Sequence, residues 1–141
     1  MSAAALTAAP FFHVGYVVAD LEAAMAEFGG VPGVSWQAVV QRPAWRRVFS
    51  SGTPPLIELI EGEPGTPWDP ALGTGLHHVG KLTYDLNASI AELTAAGLEI
   101  AIDGREISGP WAYFALPRTS TLFEVAEADD TTRRERYGLA A

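Results

Sequence analysis

The chain has 141 residues, 48% of them apolar, with a formal net charge of -8. That length fits one domain, and the apolar fraction supports a core and argues against global disorder. Nine Lys and Arg stand against 17 Asp and Glu, with no basic run, so nucleic acid is not an expected partner. There is no cysteine. That excludes disulfides, thiolate ligands and a Cys nucleophile, and it is compatible with the cytoplasm, the expected location.

Residues 1–10 are Ala-rich and carry no basic residue, so they read as a loose lead-in rather than a secretory signal. No apolar stretch reaches membrane-spanning length, so no membrane association is expected. A Val- and aromatic-rich strand is expected over 11–19, then a helix capped by Asp20 and closed by Gly29-Gly30. Strands follow over 34–41, 44–50 and 55–61. Pro and Gly mark 62–74 as a linker. A second strand and helix follow over 76–84 and from Asp85 to Gly97, then strands over 98–102, 111–116 and 121–127. The charged tail, 128–141, reads as peripheral.

The chain states one pattern twice. His13-Val14-Gly15 recurs 65 residues later as His78-Val79-Gly80, and Asp20-Leu21 recurs as Asp85-Leu86. The closing strands also match, with Glu58 between Ile57 and Leu59 and Glu124 between Phe123 and Val125. The expected organisation is therefore a single domain: module one over about 11–61, a linker over 62–74 and module two over about 75–127.

Side chains alternate along a strand, so His13 shares a face with Gly15, and His78 with Gly80. A carboxylate in an apolar strand is costly unless it is paired or binds a cation. If the modules pack with pseudo-twofold symmetry, His13, Glu58, His78 and Glu124 converge. Two imidazoles and two carboxylates suit one divalent ion, with Zn, Ni, Co, Mn, Fe and Mg all compatible. The repeat register selects His78 over His77, which is expected to face the other way.

These features resemble the vicinal-oxygen-chelate (glyoxalase-like) superfamily. The resemblance runs from about Phe11 to Glu127 and includes Gly75-Leu76-His77-His78-Val79-Gly80. It implies an α+β fold of two tandem βαβββ modules, whose curled mixed sheet forms a cup around the metal. His13, Glu58, His78 and Glu124 fill the ligand places of the glyoxalase I branch. The methylmalonyl-CoA epimerase branch is similar but commonly has Gln where Glu58 stands. Both branches imply a metal-dependent lyase or isomerase in which a glutamate takes a proton from a carbon beside a carbonyl, through an enediolate. Glu124 and then Glu58 are the candidate bases. Resistance-type relatives imply the alternative, a metal-free small-molecule binder or cyclase-like protein. Superfamily members often dimerise, with modules paired within one chain or across two, so a homodimer is an expected partner arrangement.

The cup is expected to be lined by the second and third strands of each module. Tyr16, Trp36, Trp45, Arg46, Trp111 and Tyr113 are the substrate-binding candidates, with Gln37, Phe49 and Phe114 beside them. Such walls suit a sizeable apolar or planar small molecule. Arg46 or Arg47 is a candidate for a substrate carboxylate or phosphate, against the alternative of a solvated edge charge.

Overall fold

The two copies fold as two strand–helix–three-strand units sharing one mixed sheet. The computed structural model describes residues 3–139. In chain order the elements are α1 (Ala3–Ala8), β1 (Phe11–Val17), α2 (Leu21–Gly29), β2 (Val40–Gln41), β3 (Trp45–Phe49) and β4 (Leu56–Gly62). The second copy gives β5 (Gly75–Thr83), α3 (Leu86–Ala95), β6 (Ile100–Asp103), β7 (Trp111–Leu116) and β8 (Thr121–Glu127), followed by α4 (Asp130–Glu135). The sheet order is β2-β3-β4-β1-β5-β8-β7-β6. The two first strands pair antiparallel at its centre, and each pairs parallel with its own module's last strand.

The repeat extends to the helix starts. Asp20 and Asp85 accept from the backbone N–H of Ala23 and Ala88, each at 3.0 Å. The first helical N–H groups are met from across the module: Leu21 donates to Glu61 at 2.8 Å, and Leu86 to Glu127 at 2.9 Å. A carboxylate at the positive end of each helix thus ties it to the end of its last strand.

Alternation divides the core between the sheet's two faces. On the helix side, Leu21, Val48 and Leu59 pack with Tyr16, Phe28 and Trp36. The second module packs Leu86, Ile90, Phe114 and Val125 there, joined by Leu6. On the concave side, Phe12, Phe49, Leu56 and Tyr137 form one cluster, and Val17, Ile60, Trp68 and Tyr113 another.

Three expectations are corrected, and the linker takes on a packing role. The loose lead-in, in part outside the described residues, contains α1, whose Leu6 is buried. The strand over 34–41 shrinks to Val40–Gln41, because Trp36 Nε1 donates to the Met25 carbonyl and Gln37 Nε2 to the carbonyls of Ser50 and Tyr137. The linker turns Trp68 into the concave core, where it is 5% exposed. The tail carries Tyr137 onto Phe12 and Phe49, with ring centroids at 5.1 and 5.4 Å.

Candidate metal centre and cavity

His13 and His78 meet where the modules join. The strand register sets His13 opposite Gly80 and His78 opposite Gly15. The ring Nε2 atoms lie 2.7 Å apart, and both side chains are essentially fully buried. The carboxylates cross over between modules. Glu58 of the first copy approaches His78 Nε2 at 3.0 Å and His13 Nε2 at 3.5 Å. Glu124 of the second approaches His13 Nε2 at 3.2 Å and His78 Nε2 at 4.0 Å. One chain therefore gathers all four residues.

The donor set fits a divalent ion. His13, Glu58 and His78 each offer one atom within 4.8 Å of the others. Ligands about 2.1 Å from a common ion lie about 3 Å apart at right angles and about 4.2 Å apart when opposite, the spread these contacts span. Burial pushes the Glu58 carboxyl up, but the His78 hydrogen bond and the charges of His13, His78 and Arg47 outweigh it and hold it at about 2. Burial pushes His78 down, and Glu58 and Glu124 more than reverse that.

His77 corrects a further expectation. The pairing steps from Gly15–His78 to Tyr16–Leu76, so His77 sits in a β-bulge, as Phe12 does in the first strand. Its ring therefore turns back toward the site, with Nδ1 2.9 Å from His78 Nδ1. Burial and the His78 charge hold His77 down at about 4, so it is neutral at pH 7. A neutral His77 accepting at Nδ1 lets His78 Nδ1 donate to it and turns His78 Nε2 toward Glu58 and His13, so that Nε2 is the atom a metal would take in exchange for its proton. The matching atom, His13 Nδ1, is buried with no partner among the described residues, and phenylalanine stands where His77 precedes His78.

Glu58 and Glu124 form the floor of a cavity of about 490 Å³. Trp45, Trp111 and Tyr113 line it. Tyr16, Trp36 and Arg46 do not, and the reason is strand parity. Tyr16 is one residue out of step with Gly15 and Val17 and packs on Phe28 behind the sheet. Trp36 lies against the same ring. Arg46 faces the helix side, bonded to Glu22 at 2.6 Å and to Glu61 at 3.1 Å. Phe114, buried under α3, and Gln37, bonded beneath the tail, also lie outside the cavity wall. Arg47 lines the cavity instead, with Phe49.

Trp68, Tyr137 and Phe12 complete the wall and were not anticipated. Trp68 Nε1 donates to the Tyr113 hydroxyl at 2.9 Å. Burial raises the Tyr113 phenol well above its ordinary value, so it stays a donor at neutral pH. An aromatic residue in a Pro/Gly-rich linker was the available signal for Trp68. For Tyr137 there was none beyond its being aromatic in a charged tail.

The sequence profile described as the Glyoxalase/Bleomycin resistance protein/Dioxygenase superfamily matches residues 12–113. Among curated proteins, none matches the sequence. Solved structures share the fold at low identity. A hypothetical protein from Bacillus halodurans C-125 aligns with a TM-score of 0.70 and 18% identity, over 87% of this chain and 96% of that one. A methylmalonyl-CoA epimerase in complex with methylmalonyl-CoA aligns with a TM-score of 0.65 and 18% identity, over 86% of this chain and 96% of that one. The methylmalonyl-CoA epimerase from Mycobacterium tuberculosis aligns with a TM-score of 0.65 and 18% identity, over 93% of this chain and 95% of that one.

Proposed function

Because the chain belongs to the glyoxalase/bleomycin resistance protein/dioxygenase superfamily, we propose that it is a divalent-metal-dependent isomerase or lyase that removes a proton from a carbon beside a carbonyl. The observation that carries this reading is the meeting of two imidazole Nε2 atoms and two carboxylates at the floor of an aromatic cavity.

His13, Glu58, His78 and Glu124 would hold the ion, which supplies Lewis-acid stabilisation of negative charge on substrate oxygens. Glu124 is the first candidate for the base. Its side chain is 14% exposed against 7% for Glu58, and Glu58 is also held by His78 and Arg47. The less restrained carboxylate has more freedom to reach a substrate proton. Tyr113, anchored by Trp68, keeps a hydroxyl proton for a substrate oxygen. The aromatic walls exclude water and leave room for a planar or apolar group.

The test is elemental analysis of protein purified without a His-tag or chelator, beside a His13→Ala/His78→Ala double variant. About one divalent ion per site is expected, and none in the variant. Proton exchange in deuterated water is then screened with 2-oxo aldehyde adducts and acyl thioesters, and Glu124→Gln should abolish it with the fold intact. The ring density of the cavity favours one alternative, a metal-free binder of planar ligands. No metal uptake from Mn, Co, Ni or Zn, together with chelator-insensitive ligand binding, would select it.

A further inference from the structure

Arg47 stands in the cavity wall within 4 Å of Glu58, and its guanidinium makes no hydrogen bond among the described residues. Its side chain is 16% exposed. Its Nε is buried without a partner among the described residues, and Glu58 Oε2 lies 3.8 Å from Nη1, beyond hydrogen-bond reach. Three rings fix the guanidinium: Trp45, Phe49 and Tyr137, with centroids 5.4, 5.1 and 5.9 Å away. Arg46 shows the contrast. One residue earlier, on the other face, it is fully engaged by Glu22 and Glu61.

An Nε–H buried without a partner is an incomplete interaction, because that donor left water to be there, while the Nη atoms remain open toward the cavity. The partner it lacks is a planar oxyanion, and the two Nη atoms, which are not closed off, form an end-on fork that fits a carboxylate. We infer that Arg47 is the recognition residue for a carboxylate carried by the substrate. The inference rests on the metal-centred reading for where the reacting carbon lies. Since Arg47 stands next to Glu58, the carboxylate it receives belongs close to that carbon. The substrate is then a small carbonyl compound bearing its own carboxylate, rather than a neutral aldehyde or ketone. Arg42 and Arg136 also line the cavity, and neither has an ion-pair partner among the described residues. With Arg47 they offset the three carboxylates of the lining, Glu58, Glu124 and Glu127, in a chain of net charge -8.

Malonate is the probe, and tryptophan fluorescence the readout, because Trp45, Trp68 and Trp111 line the cavity. Titrations are run in chelator, so that no bound cation contributes, on wild type, Arg47→Met, Arg47→Lys and Arg46→Met. Wild type and Arg46→Met should bind alike, and Arg47→Met at least about 10-fold more weakly, the scale of one lost charge-assisted fork. Arg47→Lys, which keeps the charge without the fork, should fall between, and neutral malonamide should not compete. Near-UV circular dichroism confirms the fold of each variant. If Arg47→Met is misfolded, weaker binding by Arg47→Lys carries the result. Unchanged binding in a folded Arg47→Met, malonamide binding as tight as malonate, or no malonate binding by wild type would each overturn the inference. Elemental analysis of the same proteins reads the metal separately, so its absence would sink the metal-centred reading without touching the malonate result.

Discussion

Gly80 makes room for His13. A Cβ on Gly80 would lie 2.5 Å from His13 Cε1, and a Cβ on Gly15 would overlap the His78 ring. The glycine of each His-Val-Gly triplet therefore serves the histidine of the other triplet, across the antiparallel pair that joins the modules. Gly80→Ala should displace His13 and destabilise the fold by about 1–3 kcal/mol, the usual effect of overpacking a filled site. Gly15→Ala should do the same through His78. Urea unfolding and metal stoichiometry check this. Wild-type values for both in Gly80→Ala would show that the ring has another place to go.

That crossing explains how much of the site was legible. The repeat puts His13 and His78, and Glu58 and Glu124, at equivalent positions of the two modules, so pseudo-twofold packing implies their convergence, and the sheet brings them together. Parity also separates Arg47 from Arg46 and excludes Tyr16, provided it is applied outward from Gly15 and Glu58. The bulges at Phe12 and His77 were not legible, because a bulge adds a residue without changing the alternation on either side. Trp68 and Tyr137 reach the cavity from segments with no periodicity of their own. Their burial is decided by the concave surface they cover, a tertiary property.

Trp68 and Tyr113 test whether the linker belongs to the cavity. Their 2.9 Å hydrogen bond is buried and joins residues 45 apart. Tyr113→Phe removes the acceptor and leaves the Trp68 indole N–H buried without a partner, which should destabilise by about 1–3 kcal/mol. Trp68→Phe removes the donor and also shrinks a buried ring, so its loss should be larger. Denaturant titrations decide the order, and a smaller loss in Trp68→Phe than in Tyr113→Phe would contradict this account.

The tail is expected to stabilise the fold in a pH-dependent way. Tyr137 is 6% exposed, and truncating a buried aromatic to alanine typically costs about 3–5 kcal/mol, so Tyr137→Ala should fall in that range. The helix before it is capped by Asp129, which accepts from the Thr132 N–H at 2.7 Å. The hydrogen bonds from Thr132 hold the Asp129 carboxyl below its usual 3.8. A carboxyl depressed in the folded state stabilises above its unfolded value, and that contribution is lost as pH falls through the lower folded value. Acidification through that window should loosen Tyr137 packing, read by its ring proton resonances. Asp129→Asn keeps an acceptor that does not titrate and should remove this part of the response. An identical acid profile in that variant would place the sensitivity elsewhere.

His77 offers the test of metal binding that leaves every proposed ligand in place. Its Nδ1 lies 2.9 Å from His78 Nδ1, where it orients the ring. Loss of such an outer partner typically weakens metal binding by about 10–100-fold, so His77→Phe should shift a Zn or Ni titration by that amount without changing the stoichiometry. His77→Gln, which keeps an acceptor, should shift it less. A metal present at 100 times its Kd stabilises by about 2.7 kcal/mol, so chelator should lower the wild-type Tm. At a fixed metal concentration near the wild-type Kd, that chelator-dependent shift should shrink in His77→Phe. A His77→Phe titration superimposable on wild type would mean that Glu58 alone orients His78.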